Sequence, residues 1–116
     1  MSAQDLTKVT VSGVIDNISA AGQIYLPVPE MFDGTILQVL ATLDAAISVA
    51  NATLTVKNSD GTTIGTLVVP FSGSAAGKTS TINLSGLCRP NEAIEIETNG
   101  GSTTAVKCYV TVVIKR

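Results

Sequence analysis

The chain has no histidine, no tryptophan, two tyrosines, two phenylalanines and two cysteines. Without an imidazole, the usual base that activates a serine or cysteine nucleophile is missing. The commonest ligand of a transition-metal site is missing with it. Cys88 and Cys108 are too few to hold a metal alone, so neither a metal nor a cofactor is expected. They read as buried free thiols, with a disulfide as the alternative if their strands meet. Charge is scarce as well, at 14% of residues against about a quarter in ordinary domains. The seven basic residues are scattered from Lys8 to Arg116, with no patch to neutralise phosphates or meet an anionic bilayer. Neither nucleic acid nor membrane is expected as a partner. The N-terminus carries no basic and apolar signal-peptide pattern. Residues 36–50, the softest stretch, are interrupted by Gln38, Thr42, Asp44 and Ser48, too often for a spanning helix.

What the chain does have is β-branched residues: 13 Val, 10 Ile and 15 Thr, together 38 of 116. Such side chains favour pleated surface over helix. Apolar and polar residues alternate with period two through Lys8–Ile15, Gln23–Leu26, Thr35–Leu43, Ala52–Lys57, Thr63–Val69, Thr79–Leu84, Ala93–Thr98 and Thr104–Lys115. Pro27 and Pro29 end the second run, because proline cannot donate to a ladder. Residues 37–50 contain helix-friendly Ala and Leu, yet four β-branched residues there favour strand. Asn58-Ser-Asp-Gly61 joins two runs as a hairpin. Asn99-Gly100-Gly101 predicts a second hairpin, which would bring Glu95 or Glu97 beside Lys107. Eight or nine short strands with turn residues at the junctions predict an antiparallel β-sandwich, best as a jelly roll of about eight strands. Residues 1–8 read as an N-terminal arm and 9–116 as one domain.

Few residues carry chemistry. Gly73-Ser-Ala-Ala-Gly77-Lys78-Thr79 follows an apolar strand as a phosphate-binding loop does. It has three residues before the Gly-Lys pair where that loop needs four, and strand rather than helix follows. Cys88-Arg89-Pro90-Asn91 reads as a turn. The aspartates sit at turns, and Glu95 and Glu97 read as a solvated face. The N-x-[ST] triplets at Asn17, Asn51 and Asn83 are expected by chance in a chain so rich in Ser and Thr. No catalytic residue and no small-molecule substrate are predicted. The residues best suited to meet a protein partner are Tyr25 and Tyr109, opposite the apolar set on their strands. The pair Met31-Phe32 in a turn and Leu6 on the arm complete the candidates.

The succession of a strand ending at Pro29, the turn Asp33-Gly34 into Thr35-Ile36-Leu37-Gln38-Val39, the hairpin Leu54–Ile64, the run Arg89–Ser102 and a closing Val-rich strand resembles the small jelly-roll-like capsid decoration (cement) proteins of tailed bacteriophages. The likeness covers about Thr10 to Ile114 and is one of strand pattern. It implies a non-enzymatic protein, homotrimeric, made in the host cytoplasm and carried on the outside of the virion. There it would bind the major capsid protein lattice, and its arm would order on the capsid. A glycan- or host-surface-binding β-sandwich module is the alternative.

Overall fold

In a computed structural model, residues 8–28, 34–58, 60–89 and 92–115 are described. They form eight strands: β1 (Lys8–Ile15), β2 (Ala21–Pro27), β3 (Gly34–Leu43), β4 (Ala52–Lys57), β5 (Thr63–Val69), β6 (Thr79–Cys88), β7 (Ala93–Asn99) and β8 (Cys108–Lys115). One sheet has the order β1-β8-β3-β6 and the other β2-β7-β4-β5, with every pairing antiparallel. The expected all-β sandwich is what the chain forms. Strand 1 pairs with 8, 2 with 7, 3 with 6 and 4 with 5. This nesting is that of one long hairpin rolled into two sheets, the jelly-roll wrap.

Period-two alternation accounts for the two layers. In β8, Cys108, Val110, Val112 and Ile114 are buried while Tyr109 and Lys115 are exposed. In β4, Ala52, Leu54 and Val56 are buried, and in β7 Ile94, Ile96 and Thr98. The buried apolar residues are Val, Ile, Leu, Ala and the two cysteines, with no aromatic among those described. Each large aliphatic side chain taken out of water contributes about 1.5–3 kcal/mol. Alternation slips once in β3, where Leu37 stands between Ile36 and Gln38 at a register shift against both neighbours. That bulge lets Ile36 and Val39, three apart, both point inward.

The sandwich closes at its two long edges through glycine. A Cβ on Gly13 of β1 would lie 2.5 Å from Leu26 Cδ2 of β2. On the far edge, a Cβ on Gly86 of β6 would lie 2.6, 2.9 and 3.0 Å from Cδ1, Cγ2 and Cβ of Ile64 in β5, and one on Gly65 would lie 3.0 Å from Leu84 Cδ2. Aliphatic side chains of one sheet thus seat directly on backbone of the other.

The hairpin at Asn58–Gly61 forms as expected, with Gly61 at φ 82°. The expected hairpin at Asn99-Gly100-Gly101 does not. Strands β7 and β8 lie in different sheets, so the segment crosses between layers, and the last strand begins at Cys108 rather than Thr104. Strand β7 pairs with β2 and β4 instead. Glu95 and Glu97 therefore do not meet Lys107; Glu97 pairs with Lys57. The stretch 37–50 holds no helix, and β6 runs to Cys88, four residues past the expected end.

Replacing Gly86 with Ala forces a methyl onto the stiff β-branched Ile64. We expect a loss of about 1–3 kcal/mol, measured by urea denaturation, with recovery in the double variant Gly86→Ala/Ile64→Ala beyond that expected from independent sites.

Candidate interaction surfaces

The rolled topology presents two outer sheet faces and two loop ends. The outer face of β1-β8-β3-β6 is neutral over most of its length. Cross-strand rows run Val14–Tyr109–Thr42–Thr79, Ser12–Thr111–Leu40–Thr81 and Thr10–Val113–Gln38–Asn83. Charge enters only in the end row, through Lys8 and Lys115. Its polar side chains satisfy one another across strands: Ser12 Oγ with Thr111 Oγ1 at 3.2 Å, Thr42 Oγ1 with Thr79 Oγ1 at 2.8 Å, and Gln38 Nε2 donating to Asn83 Oδ1 at 3.1 Å. Groups already paired lose less when water is removed, so such a face is inexpensive to cover.

The opposite face, on β2-β7-β4-β5, carries the charge. Lys57 Nζ donates to Glu97 Oε2 at 2.9 Å. The hydrogen bond and the opposite charge hold the Glu97 carboxyl below its ordinary value and raise Lys57 above its own. Tyr25 stands beside Glu95 on this face.

The expected partner residues therefore do not form one site. Tyr25, 59% exposed, and Tyr109, 46% exposed, stand on opposite faces. Leu6, Met31 and Phe32 lie outside the described residues. Among those described, the structure adds Val14, Val49, Val68, Phe71 and Leu87 as exposed apolar side chains. Leu87 was legible in principle: it continues the outward phase Thr79, Thr81, Asn83, Ser85 once β6 is taken to its full length. Val68 sits within an unbroken Leu-Val-Val run whose phase sequence alone leaves open.

Two features read for chemistry have structural explanations. In the segment resembling a phosphate loop, Gly77 N–H donates to Leu43 O (2.8 Å), Lys78 N–H to Ala75 O (3.1 Å) and Ser74 N–H to Phe71 O (3.2 Å). Those donors are committed to carbonyls, and strand β6 follows. Both thiols are buried and neither is in a disulfide. Cys88 pairs in register with Gly34 and Cys108 with Leu43, the two ends of β3, so about 30 Å of strand separates them and no disulfide can join them. Burial pushes the Cys108 thiol up to about 11. Among the described residues no three His, Cys, Asp or Glu side chains converge on one point. A recess of about 260 Å³ near Val14, Asn17, Ala21, Ile24 and Thr98 is smaller than the roughly 300–1,000 Å³ of ordinary ligand sites.

A protein with this architecture belongs, by fold, among eight-stranded antiparallel sandwiches. Its solved likenesses are consistent in that. A chain of the acid-stable capsid of the Helicobacter pylori bacteriophage KHP30 superposes with a TM-score of 0.65 at 15% identity, over 95% of this chain and 88% of that one. A chain of the cyanophage Pam1 capsid asymmetric unit gives 0.57 at 14% identity, over 99% and 90%. Eiger TNF from S. frugiperda gives 0.55 at 9% identity, over 95% and 93%. No family model matches the sequence, and no curated protein is similar enough to serve as a relative. Likeness at these identities shows a shared fold, one found in phage capsids and outside them.

Two outcomes are expected. Both thiols resist a small thiol reagent in the native protein and react fully in denaturant; fast labelling of either without unfolding would contradict their burial. The Lys57–Glu97 pair contributes stability above the ordinary carboxyl value of 4.5, lost as pH falls through the lower native value, and below the ordinary amine value of 10.5, lost as pH rises through the higher native value. Glu97→Gln should therefore shrink the difference in urea midpoint between pH 7 and pH 3, and Lys57→Met should do the same.

Proposed function

We propose that this chain is a non-enzymatic virion structural protein that decorates the outside of a bacteriophage capsid and stabilises it by binding the major capsid protein lattice. The observation that carries this reading is the fold shared, over at least 95% of this chain, with chains of two phage capsids. The physical character of the surface supports it. A sheet face with few charges and with self-satisfied hydroxyl and amide groups suits burial against protein. It suits poorly a binder of phosphate or of an anionic membrane. Placing Tyr25 and Tyr109 on opposite faces also separates the two exposed tyrosines that a sugar-stacking platform would bring together. The chain works as a homotrimer, made in the host cytoplasm, with the residues ahead of Lys8, where β1 begins, acting as an arm that meets the shell.

Heads assembled without the chain should release their DNA at a temperature several degrees lower than complete heads, and purified chain added back should restore the difference. Light scattering on the free chain should give three times its 11.9 kDa mass. Heads equally stable with and without the chain would overturn the stabilising role, and a strictly monomeric chain the trimer.

A further inference from the structure

The loops that follow β1, β3, β5 and β7 gather at one end of the sandwich, and the loop between β3 and β4 is held there by the two beside it. A serine from each neighbouring loop engages both the N–H and the C=O of one of its residues. Ser74 Oγ accepts from Ile47 N–H (3.0 Å) and lies 3.1 Å from Ile47 O. Ser102 Oγ, buried, accepts from Ser48 N–H (3.2 Å) and donates to Ser48 O. The Ser48 hydroxyl reaches Thr104 Oγ1 at 2.7 Å and Thr103 Oγ1 at 3.1 Å. Beyond the tip, Asn51 Oδ1 accepts from Phe71 N–H at 3.1 Å. The chain is thus fixed on both sides of Val49.

Val49 sits at φ 79°, the single non-glycine residue with positive φ among those described. A β-branched residue there is a true outlier, since Gly or Asn would occupy the same backbone at much lower cost. Such strain persists only where the surroundings over-determine it, and it concentrates at functional positions. The valine gains little inside the monomer in return: it is 70% exposed, the most exposed of the large apolar side chains described. Phe71, whose N–H the same loop holds through Asn51, is 41% exposed.

We infer that Val49 is an apolar anchor, presented rigidly by the serine clamps, that inserts into an apolar recess on the protein surface this chain binds. Resting on the capsid-decoration reading, that surface is the exterior of the major capsid protein. The charge of this end fits a neutral protein surface. Asp16 and Asp44 are matched by Lys78 and Lys107 on the same four loops, leaving hydroxyl groups and the two apolar side chains to make the contact. A pre-formed anchor binds without first being ordered, which is where rigid presentation contributes affinity.

The test is Val49→Asn in the full chain, read by thermal denaturation and by cosedimentation with heads of the phage that carries this chain, assembled without it. Asparagine tolerates the left-handed backbone, so the variant should melt a few degrees higher than wild type, while its affinity for heads falls about tenfold or more. Ser102→Ala, which loosens the clamp but keeps the valine, should also weaken binding. A variant at Val49 that melts higher yet binds as wild type does overturns the anchor and leaves the decoration reading standing. One that melts lower overturns it too, because Val49 would then serve internal packing. Wild-type chain that fails to bind heads overturns both.

Discussion

Contact between two aliphatic sheet faces is the interaction on which the rest of this molecule depends. The inner surfaces are built from Val, Ile and Leu, with no ring among the described core residues to span a gap. Layers lined by short side chains must approach closely, and glycine makes that possible at the edges: Gly13 under Leu26, Gly86 under Ile64, Gly65 under Leu84. Burying every second residue sends the others outward. The outer faces are therefore what the alternation leaves over: threonine, serine and amide on one sheet, the Lys57–Glu97 pair and its neighbours on the other. The neutral face of β1-β8-β3-β6 follows from strand chemistry applied to a chain with few charges.

Much of the fold was legible because period-two patterning is a local signal. Strand β1, the β4–β5 hairpin and the outward placement of Tyr25 and Tyr109 were all written in alternation and turn chemistry. Other features were hidden for a physical reason. An Asn-Gly-Gly segment satisfies a tight hairpin and a crossing between layers equally well. Sequence adjacency favoured a β7–β8 pair, and only the nested roll puts Lys57, 40 residues before it in the chain, beside Glu97. The two cysteines share a buried environment yet sit at opposite ends of β3, a distance set by register rather than by sequence separation. Nothing in the residues around Val49 marks a positive φ, because serines from two distant loops impose it.

The same physics frames the functional reading. Under the proposed function, the fold shared with chains of two phage capsids and a sheet face easily covered by protein would both serve a scaffold. Under the proposed function the rolled topology would also separate tasks: flat faces for lateral contact between copies and the clamped loop end for insertion into a partner, with no competition for one surface.

The most direct measurement is cryo-electron microscopy of heads assembled with and without this chain. Density of the size and shape of this sandwich is expected on the outer surface, bridging neighbouring capsid subunits, and only in heads that contain the chain. Identical shells in the two preparations, or density for the chain inside the head or on the tail, would contradict it.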